Sequence, residues 1–177
     1  FGGHGYIKEW GVEQNVRDAR IAMIYEGTTG IQALDFIGRK VLGSGGELLK
    51  NFTREIHQFC KANSDNDALQ EFISPLQSLN KKWGDLTLHI GTKAMENPDE
   101  AGAASVDYLM FSGYASLAYF WARAVATAQV ALASGTSEPE FYEAKLATAR
   151  FYFQRILPRT LVCEEGILSG ADNLMSL

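Results

Sequence analysis

The chain has 177 residues, of which 46% are hydrophobic and 21% charged, with a net charge of −5; this is the balance of a globular protein, not of a disordered segment. No apolar run approaches the ~20 residues needed to cross a bilayer, and the basic residues are scattered instead of gathered on one face, which argues against nucleic-acid binding. Cys60 and Cys163 stand far apart with no Cys-x-x-Cys pattern and read as small buried thiols in a reducing compartment.

Phe1-Gly2-Gly3-His4-Gly5-Tyr6 opens the chain without an initiator Met, a basic stretch or a signal-peptide core, so the sequence reads as a fragment entered in the middle of a motif. From Val12 to Ile24, the spacing of Val16, Ala19, Met23 and Ile24 predicts a helix. The chain breaks at Glu26-Gly27, and Thr28 is placed to cap a second helix carrying Ile31, Leu34, Ile37, Gly38 and Val41 on one face. Gly43-Ser44-Gly45-Gly46 ends that helix and makes a flexible joint. A domain boundary belongs there, between residues 1–43 and 47–177.

Leu49, Phe52, Ile56 and Phe59 mark the next helix, from Glu47 to Asn63. A long amphipathic stripe then runs from Leu69 through Phe72, Ile73, Leu76, Leu79, Trp83 and Leu86 to Ile90, with a kink or break expected near Ser74 because Pro75 follows. Asn97-Pro98-Asp99-Glu100 starts another helix as a capping box. That helix carries Val106, Leu109, Met110, Gly113, Leu117, Phe120, Trp121 and Ala124, and the small residues Gly113, Ala118, Ala122 and Ala126 leave room for a neighbouring helix. Gly135 ends it. Ser137-Glu138-Pro139-Glu140 reads as a second capping box, followed by a stripe of Tyr142, Leu146, Ala149, Phe153 and Ile156 that Pro158 stops. A short helical tail is expected through Cys163 and Leu168 to Leu174. The fold class is all-α, with two helices of one domain followed by an antiparallel bundle of about four.

A helical bundle can hold metals between Glu and Glu-x-x-His pairs, but none of His4, His57 and His89 lies three residues after a Glu, so no metal site is expected. No Gly-x-Ser-x-Gly elbow is present, and neither Cys has a partner base in the sequence. Gly2-Gly3-His4-Gly5 lacks the strand, Lys and Ser or Thr of a phosphate loop. Glu26 sits between two helical patterns, where a carboxylate can project into a cleft and Gly27 lets a ligand approach the backbone. On spacing alone, Glu26 reads as a surface carboxylate at a helix end, and periodicity does not identify an enzyme.

Arg17-Asp18-Ala19-Arg20-Ile21, followed by Ile24-Tyr25-Glu26-Gly27-Thr28 and Ile31-Gln32, closely resembles the C-terminal signature of the acyl-CoA dehydrogenases. Phe1-Gly2-Gly3-His4-Gly5-Tyr6 is similar to the end of that family's flavin-contacting segment. The remainder, including Ile156-Leu157-Pro158 and Gly170-Ala171-Asp172-Asn173-Leu174-Met175, resembles the extra helical C-terminal domain of some bacterial members, which implies a bacterial cytoplasmic setting.

The resemblance implies that Glu26 removes the α-proton of an acyl-CoA thioester while the β-hydrogen leaves as hydride to FAD, giving a trans-2-enoyl-CoA. Its backbone amide would bind the thioester oxygen, and burial would raise its pKa towards working pH. Tyr25 and Gly27 would contact the substrate; Gly2, Gly3, Thr28, Thr29 and Gly30 would contact FAD. Gly30 stands where many relatives carry a cofactor-touching Gln, so a contact there has to come from the main chain. The family's FAD contacts cross to a neighbouring subunit and its electrons pass to an electron-transferring flavoprotein, which implies a homodimer or larger assembly with that partner. Arg17, Asp18 and Arg20 would form structural ion pairs. The fragment by itself is expected to lack FAD and activity. The alternative is a helical interaction or dimerisation module without activity.

Overall fold

The structure, a computed structural model, describes residues 1–25 and 29–174, apart from the side chains of Met23 and Ile24. Helices and their connections account for the described residues, with no strand among them. The chain divides into two compact units, Phe1–Gln32 and Ala33–Leu177, each described by itself.

In the first unit, two short 3₁₀ turns, Gly2–Tyr6 and Lys8–Trp10, lead into α1 (Glu13–Ile24). α2 (Thr29–Leu34) begins in this unit; the second unit opens with its end, a π-helical stretch, Asp35–Val41, and a 3₁₀ turn, Leu42–Ser44. Gly45 and Gly46 then take left-handed backbone angles, φ 62° and 79°, which a side chain would strain.

Five helices follow: α3 (Glu47–Ala62), α4 (Gln70–Glu96), α5 (Asp99–Ala133), α6 (Pro139–Phe151) and α7 (Arg159–Leu168). A π-helical turn, Tyr152–Ile156, joins α6 to α7, and Leu157 N donates to the Tyr152 carbonyl five residues back. The side-chain pairings set the directions. Along α3 and α4, Phe52 meets Trp83 and Thr53 accepts from Asn80. Along α4 and α5, Thr87 meets Tyr108, while Gln129 reaches back to the Ala68 carbonyl. Tyr114 accepts from Tyr152, and Asp107 packs over Gly166. Rising numbers on one helix meet falling numbers on the next, so α3, α4 and α5 alternate in direction and the α6–α7 arm returns antiparallel to α5.

The core follows from one seam on α5. Ala104, Tyr108, Phe111, Ala115, Ala118, Ala122 and Val125 are all at most 3% exposed and alternate in steps of four and three, the seven-residue repeat that keeps one face on its neighbours. Four of its seven residues are Ala, which lets α4, α6 and α7 approach. This corrects the expected stripe. Val106, Met110, Leu117 and Phe120 are 41–53% exposed, and Gly113 also faces outward. Ala118 and Ala122 are the small residues at the contact. α5 is apolar almost all round, so periodicity offered two faces and the one that meets three helices is buried.

Three further expectations change. α4 runs unbroken through Pro75. The missing hydrogen bond and ring clash of an internal Pro cost ~3 kcal/mol, and the buried Phe72, Ile73 and Leu76 on either side offset this with ~1.5–3 kcal/mol each. Ser137 does not cap α6, which starts with Pro139 in its first turn while Glu138 N donates to Thr136 Oγ1. α7 stops at Leu168, with Gly170 left-handed after it, so the tail to Leu174 is a turn. Asn97 does cap α5, its Oδ1 accepting from Asp99 N at 3.1 Å.

Candidate active site

Gly2 and Gly3 lie in the first 3₁₀ turn, exposed to solvent, with Gly2 left-handed at φ 56°. A Cβ added at either would meet no atom within 4 Å, so their main chain is open to close approach. The Phe1 and Trp10 rings, 5.4 Å apart, close the two turns on each other. α1 is laced by Arg17 donating to Glu13 Oε1 at 3.3 Å and Gln14 Oε1 at 2.7 Å, with Gln14 donating to Asp18 at 2.7 Å. These contacts tie α1 together locally.

Tyr25 ends α1 in extended conformation, φ −68° and ψ 135°, its N donating to the Ile21 carbonyl. Its ring is 53% exposed and so is not packed into a core. Glu26, Gly27 and Thr28 lie outside the described residues. Thr29 and Gly30 are exposed in the first turn of α2, and a Cβ on Gly30 would also meet open space. The predicted site residues described in the first unit are thus exposed main chain or side chain on both sides of Glu26.

Sequence reasoning passed over Glu13. Among the described residues it is the one buried ionisable carboxylate, 8% exposed, and its Oε2 has no hydrogen-bond partner there. Its place in the first turn of α1 favours negative charge, and the single Arg17 contact leaves half of the carboxylate unsatisfied. Nothing in residue spacing distinguishes it from Glu9.

A groove of about 470 Å³ between α3 and α4 is lined by Leu42, Leu49, Leu88 and Met95 together with Lys50, Thr53, Thr87 and Thr92. Burial pushes the Cys60 thiol up to about 11; burial, then Asp107, raises Cys163. Both are poorer thiolate sources than an exposed Cys. Burial likewise raises the Tyr108 and Tyr152 phenols, whose hydroxyls meet Thr87 Oγ1 at 2.6 Å and the Tyr114 carbonyl at 2.9 Å. No helix among the described residues is long and apolar enough to cross a membrane.

Comparison with known proteins gives the family. Residues 52–177 match the family described as acetyl-CoA dehydrogenase C-terminal like, and residues 1–42 match the acyl-CoA dehydrogenase C-terminal domain. A 3-methylmercaptopropionyl-CoA dehydrogenase of Ruegeria pomeroyi is 35% identical over 99% of this chain and 30% of its own length. A broad-specificity linear acyl-CoA dehydrogenase of Mycobacterium tuberculosis is 32% identical over the same shares, 99% and 30%. A butyryl-CoA dehydrogenase of Syntrophomonas wolfei is 29% identical over 89% of the chain and 26% of its own length. The chain spans about 30% of the length of the first two relatives. Its helical architecture, its residue pattern around Tyr25-Glu26-Gly27-Thr28 and these matches agree: the chain belongs to the acyl-CoA dehydrogenase family.

Proposed function

We propose that the protein carrying this chain is an FAD-dependent acyl-CoA dehydrogenase in which Glu26 is the proton-abstracting base. The observation that supports it is the family match on residues 1–42, which contain Tyr25-Glu26-Gly27-Thr28 and Gly2-Gly3 in the order of the family's site. FAD fits the residues present: Gly2, Gly3 and Gly30 offer bare main chain with open space where a Cβ would stand, the surface a flat ring system and its ribityl chain need. When bound, FAD supplies the acceptor for the β-hydride. Glu26 takes the α-proton onto its carboxylate, and its backbone N–H donates to the thioester oxygen as negative charge develops there. Gly27 leaves the thioester room beside the main chain, and Tyr25 lines the acyl side. Gly2, Gly3, Thr28, Thr29 and Gly30 would hold the cofactor, with Gly2 and Gly3 reaching the FAD of a neighbouring subunit in a homodimer. Electrons leave to an electron-transferring flavoprotein.

The relatives' names cover 3-methylmercaptopropionyl-CoA, linear acyl-CoA and butyryl-CoA, so the substrate class is an acyl-CoA thioester. The full-length protein assayed against a panel of such esters with an artificial electron acceptor should form trans-2-enoyl-CoA. Glu26→Gln should keep FAD bound and lower turnover by ~10²–10⁴-fold, the usual contribution of a general base. Turnover at the wild-type rate would place the base elsewhere.

A further inference from the structure

α5 is apolar on a second side, which the bundle leaves open. Val106, Met110, Gly113, Leu117, Phe120 and Ala124 each stand two residues beyond a member of the buried seam, ~200° round the helix from it. Val106, Met110, Leu117 and Phe120 are 41%, 42%, 50% and 53% exposed, and Gly113 between them is exposed as well. None of the six is charged, and their steps along the chain are four, three, four, three and four. The solvent side of a helix normally carries polar residues. An apolar stripe held to a seven-residue repeat is instead the seam along which a second helix lies.

We propose that this stripe is an interface with a second copy of the chain, the two α5 helices pairing antiparallel about a two-fold axis level with Ala115. The steps read the same from either end, so a reversed copy brings the stripe into register with itself. Val106 then faces Ala124, Met110 faces Phe120, and Gly113 faces Leu117. A smaller residue lies opposite a larger one at four of these six levels, the fit a close helix pair needs, and a Met thioether meets an aromatic ring at the other two. The charges beside the stripe favour the same direction. Asp107 of one copy stands level with Arg123 of the other, whereas a parallel pair would set Asp107 against Asp107 and Arg123 against Arg123. The four half-exposed side chains and the small residues between them cover roughly 500 Å² on each copy, about 1,000 Å² for the pair, the low end of a specific interface. A contact of that size is weak, so dilute chains separate and the fold of each copy stands without it. It lies wholly within the bundle, adds to the assembly that shares FAD, and does not depend on the role of Glu26.

The test is disulfide capture in the full-length protein. Val106 and Ala124 of one chain are ~27 Å apart along α5, far beyond the ~4.4–6.8 Å that a disulfide allows between Cα atoms. A protein carrying both Val106→Cys and Ala124→Cys therefore joins these positions only between copies. Under mild oxidation it should run as a covalent dimer on a non-reducing gel. Either substitution alone leaves like positions ~27 Å apart across the axis and should give no dimer above wild type, whose Cys60 and Cys163 are buried and free. Adding Leu117→Lys, a change at a half-exposed position that one copy tolerates, should lower the cross-linked fraction by about tenfold or more, because it sets an unpaired charge in the interface. A paired variant that stays monomeric, as when the protein's own dehydrogenase portion lies on the stripe, overturns the proposal. So does equal cross-linking by the single variants, which marks parallel or random association, or a dimer that Leu117→Lys leaves intact. None of these outcomes bears on Glu26, whose own test is turnover.

Discussion

Cys60 illustrates how a single side chain in this fold acquires properties the sequence only hints at. It is 2% exposed on α3, and burial holds its thiol neutral up to about 11 against an ordinary value of 9.0. A raised folded-state pKa means that the unfolded chain releases its proton first. The contribution is therefore complete below pH 9.0 and is lost as pH rises towards about 11, at most ~1.4 kcal/mol per pH unit. Urea unfolding midpoints measured across that range should fall less steeply in Cys60→Ala than in wild type. Parallel slopes would show that the thiol titrates alike in both states. That both cysteines are buried and free was legible from their isolation in sequence; the size of the shift needed the packing around them.

At the scale of elements, α5 decides most. Its two apolar faces are indistinguishable by composition, yet one carries Phe111 at 1% exposure and the other Leu117 at 50%. Phe111→Ala should destabilise the chain by ~3–5 kcal/mol through lost transfer energy and a cavity, whereas Leu117→Ala should stay within ~0.5 kcal/mol. Thermal or chemical denaturation of the 177-residue chain separates the two, and equal losses would mean that the seam has been assigned to the wrong face. The same lesson holds for Pro75. Local rules predicted a break, and flanking core residues carried the helix through. Where local and tertiary preferences agree, as at the Asn97 cap and the left-handed Gly135 that closes α5, the sequence is read correctly to the residue.

At the scale of the whole molecule, the bundle is tied by long-range polar contacts: Lys82–Glu164 at 2.6 Å, Arg150 forked on Glu71, and Tyr119 on Glu55. These are partly exposed pairs worth little singly; the apolar seam holds the arms together. The first unit is different. Phe1, Tyr6, Trp10, Val16, Ile21 and Tyr25 are each more than half exposed, and the glycines expected to meet FAD present open main chain. A cofactor site needs an enclosing apolar cleft with a few aimed polar groups. The 177-residue chain purified alone should accordingly be colourless, and a stoichiometric yellow flavin band in its spectrum would overturn that expectation.

Residue order alone determined the family, the all-α class, most helix boundaries and the candidate base, because the motif around Glu26 and the caps and glycine stops are local patterns. It did not determine which face of α5 is buried, that α4 would pass through Pro75, or that Ile37 and Val41 sit in the core of the bundle. Those were decided by tertiary packing, since a helix apolar on two sides has no preference until its neighbours compete for it.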